Sequence, residues 1–288
     1  MSASMPRIET GLRHVVDGHD GFFVDLWGTL HDGHDPLPGA AECLQALRRF
    51  GPVCLLSNSH RRREVEVQRL ETMGFSTGDY DGLVTAGEVC RERLKGDLPP
   101  GCGNRFFFVG LEENASLFDD LDVVRADAID EADFVLIGDP ENDKQNVEAY
   151  EPLLRAALER ALVVVCPNPD RWSFWGTQRR VKPGAIADHY EAMGGQALWY
   201  GKPCANTFEA GMDALTTRPT KVMVIGDGIS NDMAGARDAG MDACFVAGGR
   251  EAPGLGIAAG EAPDPTALKR LFAEEDVNPL ATVALFVF

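Results

Sequence analysis

Six polar side chains stand beside short apolar runs, where they could act together on a phosphoryl group. They are Asp25, Ser57, Asn58, Lys202, Asp227 and Asp232. Asp25 and Asp227 offer hard oxygen ligands, and Mg²⁺ prefers one or two carboxylates together with a substrate phosphate. Ser57 and the backbone N–H groups at the start of the next helix would form a seat for phosphate, and Lys202 would add a point positive charge.

A carboxylate can also attack phosphorus directly and so split one difficult displacement into two easier steps. A metal ion and a lysine would neutralise the charge on the phosphoryl group during its transfer. The residue types therefore indicate phosphoryl chemistry, provided that the fold brings these groups to one crevice.

Alternating strand and helix signals surround these residues. Predicted strands occupy the apolar runs 21–24, 53–56, 83–84, 221–225 and 243–246. Amphipathic helices are predicted between them at 40–50, 60–73 and 233–239. Continuous runs of Val, Ile, Leu and Phe are typical of parallel strands that are buried on both faces. The pattern predicts a Rossmann-like, doubly wound α/β core whose function lies beyond the carboxyl ends of its strands.

The middle of the chain reads as a second set of elements. Strands are predicted at 106–109, 134–137 and 162–166, and helices at 114–120, 147–160 and 184–193. The stretch 98–103 (LPPGCG) is rich in helix breakers and indicates a linker. We therefore predict an inserted α/β cap domain over 88–198, flanked by core segments 1–87 and 199–288.

Composition limits the possible partners. The chain has 27 basic and 45 acidic residues, for a net charge of −18. Such an acidic protein is a poor candidate for sequence-blind nucleic-acid binding or for an anionic membrane surface. The seven cysteines include no C-x-x-C pair, which argues against a disulfide framework or a structural zinc site. With neither a secretory signal nor a membrane-spanning apolar run in view, the expected location is the cytoplasm.

Four motifs follow one another along the chain. They are D-L-W-G-T-L from Asp25, S-N from Ser57, G-K-P around Lys202 and G-D-x-x-x-x-D around Asp227. Together they resemble the haloacid dehalogenase superfamily. The narrower resemblance is to its class IIA branch, which includes the N-acetylglucosamine-phosphate, 4-nitrophenyl phosphate and pyridoxal phosphate phosphatases. In that branch a large α/β cap lies between the second and third motifs, and the Asn168-Pro169-Asp170 triplet and the stretch 183–186 resemble that cap as well.

The resemblance implies a role for each matching residue. Asp25 would be the nucleophile that becomes an aspartyl-phosphate, and Asp232 would support the metal through water or orient Lys202. The Mg²⁺ site would comprise Asp25, the backbone carbonyl of Trp27, Asp227 and Asp232. The phosphoryl-binding group would comprise Ser57, Asn58 and Lys202, of which Lys202 would also be catalytic.

Trp27 departs from the family pattern. Phosphatases of this family usually carry a second aspartate there, which protonates the leaving group and then activates water. Tryptophan can neither give nor take a proton near neutral pH. Losing a general acid/base typically costs about 10²–10⁴ in rate. The backbone carbonyl of Trp27 would still serve the metal.

Three consequences of this departure stay open. The substrate has a good leaving group, such as an acyl phosphate; another residue substitutes, from the cap or from His31, Asp32 and His34; or the protein binds a phosphate ligand with little turnover. Trp172, Phe174 and Trp175 could stack on a flat substrate or pack against the core. The apolar run 281–288 could be an added strand or a subunit contact.

The sequence thus predicts a Mg²⁺-dependent phosphatase of a small phosphorylated metabolite, without nucleic-acid or membrane partners and with homo-oligomerisation open. The alternative is a catalytically weakened phosphate-ligand binding protein on the same fold. A hydrolase of another bond, such as carbon–halogen, ranks lower, because those enzymes generally have a smaller helical cap and need no metal.

Overall fold

The structure is a computed structural model that describes residues 5–96, 98, 102–141, 146–175, 178–258 and 260–288. The predicted linker 98–103 lies partly outside these residues. The side chains of Phe174 and Trp175 also lie outside the described part. Of the three aromatic residues that were expected to stack on a substrate or pack against the core, only Trp172 has a described side chain, and it is 36% exposed.

Strands and helices alternate along most of the chain. The strands are β1 (Ile8–Glu9), β2 (Gly21–Asp25), β3 (Val53–Ser57), β4 (Gly82–Thr85), β5 (Arg105–Val109), β6 (Val124–Arg125), β7 (Phe134–Ile137), β8 (Val163–Cys166), β9 (Trp172–Trp175), β10 (Gln178–Val181), β11 (Gln196–Trp199), β12 (Val222–Gly226), β13 (Asp242–Val246) and β14 (Ala281–Val283). The helices are α1 (Ala40–Leu47), α2 (Arg63–Thr72), α3 (Ala86–Gly96), α4 (Glu151–Glu159), α5 (Pro183–Ala192), α6 (Ala205–Ala214), α7 (Ala234–Asp238), α8 (Ala252–Leu255) and α9 (Pro265–Glu274).

The chain folds into two compact units. The first comprises Met1–Ser57, Arg63–Val84 and Lys202–Phe288, and the second comprises Asn58–Arg62 and Thr85–Gly201. The predicted insert 88–198 lies within the second unit. The short segment Asn58–Arg62, which the prediction placed in the core, groups with the second unit instead. Its contacts explain this, because the Thr85 hydroxyl donates to the Arg61 carbonyl and the Gly87 N–H donates to the Ser59 carbonyl.

The first unit is built on a sheet of strand order β1-β14-β13-β12-β2-β3-β4. β2 pairs in parallel with both β12 and β3, and β13 pairs in parallel with β12 and β14. Every residue of β2, β3 and β12 is buried, as expected of central strands covered on both faces. The doubly wound α/β fold class is thereby confirmed, with β2 and β12 side by side.

The second unit has its own parallel sheet, of order β11-β8-β7-β5-β6. A separate antiparallel hairpin joins β9 to β10. Tyr190 of α5 is fully buried against this sheet's core and donates its hydroxyl hydrogen to the Leu162 carbonyl at 2.6 Å. An aromatic ring can be buried here because its polar end has a partner.

Several predicted elements differ from those observed. The predicted helix 114–120 is a 3-10 segment at Glu112–Phe118. The predicted helix 147–160 begins with a 3-10 turn, Val147–Tyr150, and becomes α-helical at Glu151, where Pro152 suits the first turn. The hairpin β9–β10 was not predicted, and the run 281–288 contributes β14. Among the described residues, no helix combines the length and apolar character that a membrane crossing requires.

Candidate active site

Asp25 is the last residue of β2, at the carboxyl edge of the first unit's sheet. It is 8% exposed and lies opposite Leu56 in the register between β2 and β3. The loop that follows is held tightly, because the Leu26 carbonyl accepts the N–H groups of Leu30 and His31. The Thr29 hydroxyl faces Oδ2 of Asp25 at 3.4 Å. A buried strand and a short hydrogen-bonded loop therefore fix the predicted nucleophile.

Asp227 and Asp232 reach the same edge from β12. Asp227 follows the last strand residue directly, and a π-helical turn over Ile229–Met233 carries Asp232. The turn holds its own carboxylate, since the Gly228 N–H donates to Oδ2 of Asp232 at 3.0 Å. π-helical turns are rare and are often found at functional sites. Because β2 and β12 are neighbours, Asp25 and both of these aspartates lie together.

Lys202 connects two of the three carboxylates. Its ammonium donates to Oδ1 of Asp25 and lies 2.7 Å from Oδ1 of Asp232. A third hydrogen bond runs to the Leu56 carbonyl at 2.9 Å. The side chain is 1% exposed, so three acceptors replace the water that its charge has lost. Burial alone would lower the pKa of Lys202, but the charges of Asp232 and Asp25 outweigh it and raise that pKa.

The three carboxylates form a compact buried group with an excess of negative charge. One oxygen each from Asp25, Asp227 and Asp232 lies within 4.8 Å of the others. Burial and the charge of Asp25 raise the pKa of Asp227 well above its usual range. Burial also raises the pKa of Asp232, to about 6, although Lys202 opposes the shift. Such a group favours a cation in its midst, because like charges at this distance repel one another.

Two glycines make room for Asp227. A Cβ at Gly28 would stand 1.8 Å from Oδ2 of Asp227, and one at Gly249 would stand 2.2 Å from the same atom. Gly28 also has a φ of +85°, a backbone conformation that favours glycine. The Arg250 N–H next to the second glycine donates to Oδ2 of Asp227 at 2.6 Å. The Asp227 carboxylate thus lies between Gly28 and Gly249, at positions where any side chain would clash with it.

The other predicted site residues are placed less closely. Ser57 is buried at the end of β3, one residue beyond the partner of Asp25. The helix that follows, α2, begins at Arg63 rather than at the predicted residue 60. Asn58 belongs to the second unit, where its amide donates to Oδ1 of Asp170 at 3.0 Å. The roles of Ser57, Asn58 and the Trp27 carbonyl therefore stay predictions.

Sequence reasoning missed three contributors to the site. Thr29, Gly249 and the backbone of Arg250 all contact one of the carboxylates. Thr29 lies inside the first motif and could have been noticed as a hydroxyl near Asp25. The Gly248-Gly249 pair after the apolar run 243–246 was a second signal, because paired glycines at a strand end often allow a close backbone approach.

Comparison with known proteins shows which families the chain resembles. Residues 22–124 match the family described as haloacid dehalogenase-like hydrolase, and residues 199–271 match a second, HAD-hydrolase-like family. Rat (Rattus norvegicus) chronophin is 29% identical over 252 residues, which cover 80% of this chain and 77% of the relative. The sugar-phosphatase AraL of Bacillus subtilis is 29% identical over 250 residues, covering 81% of this chain and 86% of the relative.

A solved structure extends the likeness to nearly the whole chain. The haloacid dehalogenase-like hydrolase of Brucella suis 1330 superposes with a TM-score of 0.80 at 28% identity, covering 97% of this chain and 100% of that one. Its coverage includes both units. In the first unit, Asp25, Lys202, Asp227 and Asp232 lie together as the resemblance implied. The chain belongs to the haloacid dehalogenase superfamily, as a hydrolase of the class IIA phosphatase branch.

Proposed function

We propose that the protein is a Mg²⁺-dependent phosphatase of a small phosphorylated metabolite, with Asp25 as the nucleophile. The observation that carries the proposal is the buried group of Asp25, Asp227 and Asp232 with Lys202 between two of its members. A sugar phosphatase among the relatives supports a small phosphorylated substrate.

The donor set fits a hard divalent cation. The group has three carboxylates with oxygens within 4.8 Å, and one buried lysine lies among them. Mg²⁺ favours carboxylate oxygens, and a divalent charge would relieve the repulsion from Asp25 that, after burial, raises the pKa of Asp227. Asp25 and Asp227 would hold the ion, with Asp232 in support. When bound, the ion would polarise the phosphoryl oxygens and neutralise their charge.

The chain's own groups would divide the remaining work. The hydrogen bond from Lys202 holds Oδ1 of Asp25 and so fixes the orientation of this carboxylate. Lys202 would also offset the charge of a phosphoryl group beside Asp25. Ser57, one residue beyond Leu56, would donate its hydroxyl hydrogen to the phosphoryl group. Asn58 would also bind that group. Groups that are positioned before the reaction, together with electrostatic stabilisation, provide most of the rate enhancement in enzymatic phosphoryl transfer.

We further propose that the second unit acts as a cap and that the protein works in the cytoplasm. The free state of all seven cysteines supports a reducing compartment. Most of these thiols are buried, and burial raises the pKa of Cys54 to about 12, so they behave as small apolar side chains. Homo-oligomerisation stays an open part of the proposal.

Trp27 favours one alternative function. A phosphate-ligand binding protein would need the cation, Lys202 and Ser57 but no acid/base group. Trp27 supplies no such group, so weak turnover with tight binding is the competing outcome.

The deciding experiment is an assay of orthophosphate release from a panel of phosphorylated metabolites that includes acetyl phosphate. The wild type should release phosphate with Mg²⁺, and this release should stop when the metal is chelated. The matched control is Asp25→Asn, which keeps the shape of the side chain and should reduce release by about 10⁴-fold or more. Tight phosphate-ligand binding with no release from any compound would favour the binding protein.

A further inference from the structure

Trp27 stands where proton transfer is expected, two residues after Asp25 in the first unit. Its indole lies close to the backbone of Gly33, since a Cβ at Gly33 would lie 2.9 Å from Nε1. The indole N–H can donate a hydrogen bond but cannot exchange its proton at neutral pH. The two proton-transfer tasks of this position, protonation of the leaving group and activation of water, therefore fall to some other group or to none.

His31 is the nearest substitute in the sequence, and its geometry makes it a poor base. It is 3% exposed, and its Nδ1 accepts the Gly33 N–H at 3.0 Å. Burial and the charge of Arg69 lower the pKa of His31, which favours the neutral ring. A neutral ring whose Nδ1 accepts a hydrogen bond carries its proton on Nε2. It therefore has no free lone pair with which to take a proton from water.

The other two substitutes are part of a surface turn. Oδ1 of Asp32 accepts the N–H groups of His34 and Asp35, at 2.9 and 2.8 Å. These bonds lower the pKa of Asp32 and explain its presence as a turn residue. His34 is exposed. None of the three side chains that the sequence offered next to Asp25 is thus arranged for proton transfer at that carboxylate.

Loss of the acid/base group affects the two half-reactions unequally. In the first, an oxygen of Asp25 bonds to phosphorus, and the bond to the leaving oxygen breaks and gives that oxygen the electron pair. A weakly basic leaving group departs as an anion and needs no proton. In the second, the oxygen of water bonds to phosphorus, the Asp25 carboxylate leaves with its electron pair, and a water proton passes to solvent. That step needs a base whatever the substrate was.

We propose that a long-lived aspartyl-phosphate forms on Asp25, and that the substrates are phosphates of weakly basic leaving groups, acyl phosphates above all. This inference rests on the phosphatase function proposed above. The first half-reaction would be fast for such compounds, and hydrolysis of the phosphorylated Asp25 would limit turnover. Because every substrate yields the same phosphorylated protein, all good substrates would share one steady-state rate.

The test is rapid mixing of the full chain and Mg²⁺ with 4-nitrophenyl phosphate, with acetyl phosphate as a second substrate. We expect a burst of about one nitrophenolate per active chain, followed by a slow linear phase. Acid quenching during that phase should leave one phosphoryl group on the peptide that contains Asp25. Both substrates should then give the same steady-state rate of orthophosphate release, within about twofold.

Three variants separate the cause of the burst. Trp27→Asp should remove the burst and raise the steady-state rate by about 10²–10⁴-fold, because it restores a base for water. Trp27→Phe keeps an aromatic ring without an N–H group and should retain the burst. His34→Ala changes an exposed residue outside the proposed machinery and should leave both phases unchanged.

Two results would overturn the inference. Linear release from the first turnover, with no trapped phosphoryl group and with rates that follow the leaving group, would show that another residue supplies the base; the phosphatase proposal would survive. No release and no labelling with either substrate in the presence of Mg²⁺ would overturn the phosphatase proposal and this inference together.

Discussion

Two charged clusters occupy the carboxyl edges of the two parallel sheets, and their charge balances are opposite. In the first unit, three carboxylates lie together, and Lys202 pairs with two of them, Asp25 and Asp232. In the second unit, Asp139 follows β7 and faces Lys182 and His60. Lys182 donates to its Oδ1 at 2.7 Å, and Nδ1 of His60 lies 3.6 Å from its Oδ2.

The pKa values of Asp227 and Asp139 follow from the balance of charges around each carboxylate. Burial and like charges raise the pKa of Asp227. Burial also acts to raise the pKa of Asp139, but the charges of His60 and Lys182 outweigh it and hold that pKa below its usual value. Among the described residues, the first cluster therefore has an excess of carboxylates that would favour a bound cation, whereas Asp139 has Lys182 as an ion-pair partner. The same edge of the same type of sheet thus carries the proposed reactive centre in one unit and an ion pair in the other.

The lysines should separate the clusters most strongly. Lys202→Met would leave Asp25 and Asp232 buried without their shared cation, and breaking a buried pair in this way costs about 3–5 kcal/mol. Phosphate release should also fall by at least about 10²-fold. Lys182→Met is the matched change in the second unit, where His60 still faces Asp139 and the pair is about 20% exposed. It should cost about 1 kcal/mol.

Urea unfolding of the metal-free proteins at pH 7 measures both costs. Equal destabilisation by the two methionine substitutions would contradict the difference in charge balance.

Neutralising one carboxylate in each cluster should change stability in opposite directions. Asp227→Asn removes a repelled buried charge, keeps an acceptor for the Arg250 N–H, and should raise the free energy of unfolding of the metal-free protein by about 1 kcal/mol. Asp139→Asn removes the negative charge that faces Lys182 and His60 and should lower the free energy of unfolding by about 1 kcal/mol, because the ion pair is about 20% exposed. Thermal unfolding in a chelator would show this, and a loss of stability in Asp227→Asn would be the contrary result.

The two clusters should also differ in the pH dependence of stability. A carboxylate whose pKa is raised by folding destabilises the fold as pH rises above its unfolded value. For Asp232 this loss should run from about 3.8 to about 6 in the metal-free protein. A carboxylate with a lowered pKa, such as Asp139, adds stability above about 3.8 that is lost as pH falls.

Unfolding curves from pH 4 to pH 7 for the wild type and Asp232→Asn would resolve the first effect. The decline between pH 4 and pH 6 should be smaller in the variant, in which only Asp227 of the two raised carboxylates still contributes to it. A parallel decline in both proteins would assign it to other groups.

The positions of Asp25 and Asp227 could be predicted because each ends an uninterrupted apolar run. Such runs form central parallel strands, and residues after them share one edge, so the type and the position of the chemistry follow from the pattern. Asp232 could be placed only through its motif, since the π-helical turn that carries it has no clear sequence signal.

The grouping of Asn58 was beyond the sequence for a different reason. Its neighbours 59–62 resemble the start of a helix, and their partners, Thr85 and Glu88, lie more than twenty residues away. Asp139 and Lys182 are 43 residues apart and were not connected by any local pattern. Contacts between distant residues decide these features, and periodicity reports only on local ones.

Mg²⁺ binding measured by equilibrium titration, with no substrate present, tests the central claim most directly. The wild type should bind one Mg²⁺ per chain, and Asp139→Asn should bind it equally well. Asp227→Asn should lose at least about tenfold in affinity, because it removes a charged ligand. Equal binding by Asp227→Asn and the wild type, or loss of binding in Asp139→Asn, would show that the three carboxylates of the first unit are not the metal centre.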